Sequence, residues 1–206
     1  MSLSDLYDEA APTYDAGYRK TINYVEEWLI HEQIEMLYPL GRVLSLGCGT
    51  GHDITMCQLE PEGFFGIDIS AGMIRQAQQK YPNYKFMQRD VKKPIGSRWD
   101  TVLGIFGVVN YAGLDVVVER FKETGAKKMF LVMFAPQYTP EISNAGFRHY
   151  SEHQVRELLC GFKVNMTGLS FPLPDDEAMS LNQLYEAQRA LMHGLDGCNY
   201  WVVSVT

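Results

Sequence analysis

The chain has 206 residues, a formal charge of −7 and a sequence pI of about 5.2. That length suits one domain, and an acidic balance with no run of Lys or Arg opposes binding to phosphate backbones or anionic membranes. Hydrophobic residues make up 46% and charged residues 21%, an ordinary globular balance, and no stretch approaches the roughly 18 uninterrupted apolar residues that a membrane span needs.

The N-terminal MSLSDLYDEA carries Asp5, Asp8 and Glu9 and no basic, apolar leader, so no signal peptide is expected. Residues 22–37 space Ile22, Val25, Leu29, Ile34 and Leu37 at helical intervals, and Tyr38-Pro39 ends that helix. RVLSLG (42–47) reads as a strand, 52–58 as a short helix and FFGID (64–68) as a second strand. AGMIRQAQQKY (71–81) is a helix with Ser70 as its N-cap and Pro82 beyond it. YKFMQRD (84–90) and WDTVLGIFGVV (99–109) are the third and fourth strands, and DVVVERFKET (115–124) is a helix closed by Gly125. KKMFLVMFA (127–135) is apolar enough to be buried on both faces. Ser151 and Gln154 have capping-box spacing for a helix through Leu159, ended by Gly161. FKVNMTGLS and NYWVVSVT are the last two strands, joined by residues 171–198, which hold PLPDDE and a helix over about 178–193.

Strand and helix in alternation imply right-handed crossovers. The expected fold is α/β: a doubly wound, mostly parallel seven-stranded sheet of Rossmann-like type, with an antiparallel last strand and helices on both faces. It is read as a single domain over 1–206, with an N-terminal lid and helix at 1–38 and an insertion at 171–198.

The first strand runs into Gly47, Gly49 and Gly51. Ligands of open α/β sheets lie at the carboxyl ends of the strands, and glycines there let the backbone approach a ligand closely. A dinucleotide turn of the GxGxxG type needs a third glycine at position 52, which is His52, too large for close helix–strand packing; no GKS or GKT follows for a phosphate loop. Asp68 ends the second strand 21 residues after Gly47, where a carboxylate can accept both ribose hydroxyls. Asp90 ends the third, where it can accept from an exocyclic adenine amine beside the Val91 amide, and Ile69 and Met73 offer apolar surface to the ring. Asp68 also has a capping reading, although Ser70 is the better cap, and Asp90 a turn reading.

The series VLSLGCGTG, GIDISAGMI, FMQRDV and WDTVLGIFGVVNY resembles that of class I S-adenosylmethionine-dependent methyltransferases of small-molecule type, well over about 43–111 and loosely to 165. LYDEAAPTYDAGY is similar to their lid, in which a Tyr-Asp pair closes over the cofactor. The resemblance implies S-adenosylmethionine as cofactor. It implies that Gly47, Cys48, Gly49 and Thr50 line the methionine part, with Gly51 either beside the cofactor or serving helix packing. It implies that Asp68 holds the ribose, Ile69 and Met73 sandwich adenine, and Asp90 with Val91 reads its edge. Ile105 then passes its backbone near the methyl-bearing sulfur, and Tyr14 covers the methionine end from the lid.

Methyl transfer from a sulfonium is an in-line displacement in which alignment carries most of the catalysis. An amine acceptor must arrive deprotonated and a hydroxyl needs a base. Candidates for such a group are His149, Tyr14 and Tyr111; Asn110 and Tyr138 also follow strand ends, and His153 reads as a solvated residue inside the capping box. Cys48 is read as a small residue beside the ligand rather than a nucleophile. Cys48, Cys57, Cys160 and Cys198 lack CxxC or zinc spacing, so no metal is expected and a reduced, cytoplasmic protein is.

GIFGVVNY lacks the NPPY-like or DPPY-like turn of nucleobase and glutamine N-methylating members, the Pro-Cys of C5 pyrimidine members and the acids of catechol members. The expected acceptor is an O or N atom of a small molecule, a protein or peptide side chain staying open beside it, with no nucleic acid or membrane partner, in a monomer or homodimer. Specificity is assigned to the lid around Tyr7 to Lys20, the loop 136–150 and the insertion. The helix at 178–193 is read either as a roof presenting Asn182, Tyr185 and Arg189 or as an element packed at the sheet edge or in a dimer contact. A non-catalytic cofactor-binding domain and, less readily, an NAD-dependent oxidoreductase stay open as alternatives.

Overall fold

The strands that the hydrophobic pattern marks most strongly lie at the centre of the sheet. The computed structural model describes residues 1–18, 21–96, 98–138, 146–170, 180–190 and 194–206. Its strands are Val43–Leu46 (β1), Phe64–Asp68 (β2), Lys85–Gln88 (β3), Thr101–Ile105 (β4), Lys128–Phe134 (β5), Val164–Leu169 (β6) and Tyr200–Val205 (β7). They form one seven-stranded sheet in the order β3-β2-β1-β4-β5-β7-β6. The first five strands pair parallel, and β7 runs antiparallel to both β5 and β6.

Successive residues of β5 point to opposite faces, so Phe130 and Val132 enter one core cluster while Met129, Leu131 and Met133 enter the other. Helix Thr21–Glu35 (α2) covers the first face with Val25, Leu29, Ile30 and Ile34. Helix Leu114–Thr124 (α6) and helix Glu152–Leu158 (α7) cover the second through Val117, Val118, Phe121 and Val155. This two-sided burial is why β5 reads as an uninterrupted apolar run. The chain winds outward from β1 through β2 to β3, then returns to place β4 on the other side of β1. The glycine turn after β1 therefore stands at the point where the winding reverses.

Helices Leu3–Ala10 (α1), His52–Met56 (α3), Ala71–Lys80 (α4), Val108–Ala112 (α5) and Leu181–Ala190 (α8) complete the fold, with a 3₁₀ segment over Ala11–Tyr18. Ser151 and Gln154 cap α7 as their spacing predicts, whereas the reciprocal pair Ser2 and Asp5 caps α1, a helix the periodicity did not indicate.

Three expectations need correction. The fourth strand stops at Ile105 rather than 109, because Phe106 takes φ +61 and turns the chain, and 108–112 continue as α5. The third strand stops at Gln88, leaving Asp90 in a turn where its carboxylate accepts the Lys92 amide at 2.9 Å. The helix at 178–193 spans 181–190 among the described residues and does not roof the site. Tyr185 is buried against α2, stacked on Trp28 with centroids 4.2 Å apart, and donates to Glu32. Residues 171–179 and 191–193 of that connection, 139–145 of the loop 136–150, and Arg19 and Lys20 of the lid lie outside the described residues. Among the described residues no helix is long and apolar enough to cross a membrane.

Candidate functional site

Parallel strands bring the ends of β1, β2 and β4 to one edge, with Leu46 opposite Ile67 and Ser45 opposite Leu103. At that edge Gly47, Gly49 and Gly51 have φ of +67, +52 and +84, the left-handed region where a side chain is strained. They serve different ends. A Cβ on Gly47 would lie 2.8 Å from the Cβ of Val108, so this glycine admits α5. A Cβ on Gly51 would lie 3.0 Å from the Tyr81 ring, and Gly51 lines neither cavity described below; its role is packing at the start of α3. A Cβ on Gly49 would meet nothing within 4 Å, so open space stands over this part of the turn.

The turn is tied to β2 by one carboxylate. Asp68 Oδ2 accepts the Gly49 amide at 2.9 Å and Oδ1 accepts the Ser70 amide at 2.8 Å. Burial pushes the Asp68 carboxyl up, and those amides oppose the shift by favouring the charged form. Two bonds leave acceptor positions on a group with about four lone-pair sites. Ser70 caps α4 as expected, accepting the Met73 amide at 3.0 Å.

Asp68 lies in the wall of a cavity that also includes Gly47, Gly49, Ile69, Met73, Asp90 and Val91. Ile105, Tyr14 and Tyr111 close it from other sides. The structure thus brings together Asp68, Asp90, the apolar pair and two of the turn glycines that the sequence singled out separately. A second cavity shares Tyr14, Gly47, Gly49 and Ile105 with the first and adds Cys48 and Thr50. Burial pushes the Cys48 thiol well up, so it stays a neutral thiol.

The remaining candidates separate. Tyr111 is buried in the first cavity, edge-on to Tyr7 at 6.1 Å between centroids, and burial raises its phenol. His149 is exposed, edge-on to Phe147 at 5.1 Å, and lines neither cavity. Asn110 is fully buried and structural: its Oδ1 accepts the Phe134 amide at 3.0 Å and its Nδ2 donates to the Arg148 carbonyl at 2.8 Å. Tyr138 stacks on Phe134 at 5.7 Å, and His153 is exposed on α7. Among the described residues no group of His, Cys, Asp and Glu is arranged to hold a metal ion.

The lid is fastened by two Tyr-Asp pairs seven residues apart, at 7–8 and 14–15. In each pair the tyrosine lines the first cavity and the aspartate holds the scaffold. Asp8 Oδ1 accepts the Ser70 hydroxyl and the Gly72 amide, both at 2.6 Å. Asp15 accepts the Thr50 hydroxyl at 2.6 Å and Lys80 at 2.9 Å, with His52 Nε2 at 3.1 Å. The repeated dipeptide is a signal the sequence carried; the partners are not. Phe106, Glu26 and Asp53, which also line the site, had no such signal.

Residues 43–125 match a family described as a methyltransferase domain. The chain has the fold of class I methyltransferases. A possible histamine N-methyltransferase of Thermotoga maritima, described as S-adenosylmethionine-dependent, superposes with a TM-score of 0.70 at 13% identity, covering 99% of each chain. Magnesium protoporphyrin IX methyltransferase of Synechocystis, solved with bound S-adenosylmethionine, gives 0.57 at 20% identity over 89% of this chain and 81% of that one. A demethylmenaquinone methyltransferase of Chlorobaculum tepidum is 27% identical over 129 residues, 58% of this chain and 53% of its own length. The chain thus spans about half the length of that curated relative. The matched span holds the glycine turn, Asp68 at the end of β2, Asp90 in the turn after β3 and Ile105, while the lid and β5 through β7 lie outside it.

Proposed function

We propose that this chain transfers a methyl group from S-adenosylmethionine to an O or N atom of a small-molecule acceptor. The observation that carries the reading is the Asp68 carboxylate. It bonds the Gly49 amide and shares a cavity with Asp90 and Val91, so an acid suited to ribose, an edge suited to adenine and an open glycine turn face one space.

The residues fit such a cofactor. Asp68 retains acceptor positions for two hydroxyls, Ile69 and Met73 offer apolar faces, and the space above Gly49 leaves room for an amino-acid tail. When bound, S-adenosylmethionine supplies a sulfonium-activated methyl group. The chain's part is to hold and shield: Tyr7, Tyr14 and Tyr111 wall the cavity, and Ile105 with Phe106 forms its floor at the end of β4. Alignment of this kind accounts for effective molarities on the order of 10⁵–10⁸ M without a catalytic dyad. Relatives and neighbours named for menaquinone and porphyrin methylation act on small molecules, which supports the same class here.

The test is thermal melting with S-adenosylhomocysteine, S-adenosylmethionine and NAD in parallel. A ligand at 100 times its dissociation constant adds about 2.7 kcal/mol to the native state. Stabilisation by both adenosyl ligands is expected, weakened in Asp68→Ala by the loss of charge-assisted bonds of about 1.5–3 kcal/mol. Stabilisation by NAD alone overturns the reading, and a screen with labelled methyl donor tests transfer itself.

A further inference from the structure

Five aromatic rings form an arc that begins and ends in the wall of the first cavity. Phe106, just after β4, has its ring centroid 5.3 Å from that of Tyr200 at the start of β7. Tyr200 lies 5.3 Å from Phe134 at the end of β5, its register partner across the two strands. Phe134 lies 5.6 Å from Phe147, and Phe147 lies 5.2 Å from Tyr111 of α5. Phe106 and Tyr111 line the first cavity with Ile105, whereas Phe134, Phe147 and Tyr200 line neither cavity. The arc thus extends the wall outward over β4, β5 and β7, on the side of β1 opposite to Asp68 and Asp90.

These rings are not core. Phe106, Phe134, Phe147 and Tyr200 are each half-buried, while the core residues Phe121 and Phe130 are 1% and 0% exposed. Neighbouring rings of the arc meet at 45° to 80°, so no ring covers the next face to face. Contiguous apolar surface of this kind beside a cavity marks a ligand groove. Its polarity narrows the ligand class. Among the described residues lining the first cavity the cations are Arg89 and Lys92, on either side of Asp90 and beyond the far strand β3. Arg148, next to Phe147 in sequence, pairs with Asp115 at 3.5 Å. A carboxylate or phosphate on the arc would therefore lack a lysine or arginine partner among the described residues. A cationic acceptor is opposed by the donor, itself a cation when bound. Aromatic walls also select flat rings over saturated ones, since ring pairs add about twofold to tenfold in affinity beyond the area they bury.

We propose that the methyl acceptor is an uncharged, planar aromatic ring bearing the reacting hydroxyl or amine, seated on the arc of Phe106, Tyr200, Phe134 and Phe147. The substituent of such a ring lies in the ring plane. A ring fixed on the arc therefore presents its O or N toward Ile105 in a set direction, as in-line displacement requires. An aryl amine also arrives deprotonated at neutral pH, so it needs no base. The role as methyl acceptor rests on the reading above; the ring seat rests on this chain's own residues.

The test is titration calorimetry with saturating S-adenosylhomocysteine on the full chain and on Phe134→Leu and Phe147→Leu, which keep an apolar side chain and remove the ring. Circular dichroism and S-adenosylhomocysteine binding check that each variant is folded. The probes are 2-naphthol, 2-naphthylamine, the saturated decahydro-2-naphthol, the anion 2-naphthoate and the cation cyclohexyltrimethylammonium. Wild type is expected to bind both uncharged aromatic probes about threefold to tenfold more tightly than decahydro-2-naphthol and than either ion. Each leucine variant should lose most of that preference, with S-adenosylhomocysteine affinity within about twofold of wild type, because neither ring lines the nucleoside cavity. Equal binding of 2-naphthol and its saturated counterpart, or no binding of any probe, overturns the proposal. Aromatic probes that bind both variants as tightly as wild type overturn it too and assign the rings to packing alone. Tighter binding of 2-naphthoate or of the ammonium overturns the uncharged class. A wild type that does not bind S-adenosylhomocysteine overturns the methyl-transfer reading instead, and the same probes titrated into the free chain then decide the ring seat alone.

Discussion

Asp15, on the N-terminal lid, accepts the hydroxyl of Thr50 in the glycine turn at 2.6 Å, across 35 positions of sequence. Thr50 is 1% exposed, so this bond joins the lid to the floor of the site without water between them.

The lid is therefore expected to release in acid. Burial raises the Asp15 carboxyl, but the Thr50 hydroxyl and Lys80 outweigh it and hold it below the ordinary carboxylate range. For Asp8 the Ser70 hydroxyl and the Gly72 amide do the same. Acids with depressed folded values contribute stability that is complete above their unfolded values and lost as pH falls through the folded ones. Hydrogen-exchange protection over 3–18, taken relative to the intrinsic rate at each pH, should be high at neutral pH and fall below the ordinary carboxylate range. Asp15→Asn should raise exchange there already at pH 7; slow exchange in that variant would show that the lid is held by other contacts.

The turn glycines should separate on substitution. Gly47→Ala combines a left-handed φ with a 2.8 Å approach to Val108, while Gly49→Ala meets open space. The left-handed conformation alone costs a residue with a Cβ about 1–2 kcal/mol. Melting should therefore fall by about that much for Gly49→Ala and clearly further for Gly47→Ala. Per unit of lost stability, Gly49→Ala should be the more damaging to adenosyl-ligand affinity. Equal melting losses would mean that Val108 moves aside freely.

Stability should fall as pH rises through neutrality because of Glu26. Its carboxyl is pushed by burial from 4.5 to about 7, so the folded state holds a proton that the unfolded chain has released. The associated stability is complete below the unfolded value and lost as pH climbs to about 7, a change on the order of 3 kcal/mol. Glu26→Gln should melt at a higher temperature than wild type at pH 8 and show a flatter profile between pH 5 and pH 8. A variant profile parallel to wild type would assign the slope to another group.

The stack of Tyr185 on Trp28 should matter to stability and not to nucleoside binding. Truncation of a buried aromatic at this contact should cost about 3–5 kcal/mol. Tyr185→Ala is expected to lower the melting temperature while S-adenosylhomocysteine affinity stays within about threefold at temperatures where the chain is folded. A selective loss of affinity would return α8 to the site.

Much of the fold was legible because its signals are local. β1 through β5 appear in order, and the two strands after α7 were readable as strands, though their own residues did not give the antiparallel direction. Gly47, Gly49, Asp68 and Asp90 stood out because strand ends and turns restrict which residues fit there. The end of β4 was not legible: GIFGVV continues an apolar run, and only the left-handed Phe106 turns it into α5. Asn110 read as a site residue because its position after a strand is the same whether it faces a ligand or, as here, pairs with Phe134 and Arg148.

The sequence by itself determined the order of elements, the open turn after β1 and the acid that ends β2, since periodicity and turn chemistry act within a few residues. Only the tertiary structure decided that Asp15 fastens the lid to Thr50, that Tyr185 belongs to α2, and that Glu26 and Asp53 share one chamber. A carboxylate in a string of letters has no dielectric surroundings. Its burial, its partners and its lack of partners arise when segments distant along the chain close around it.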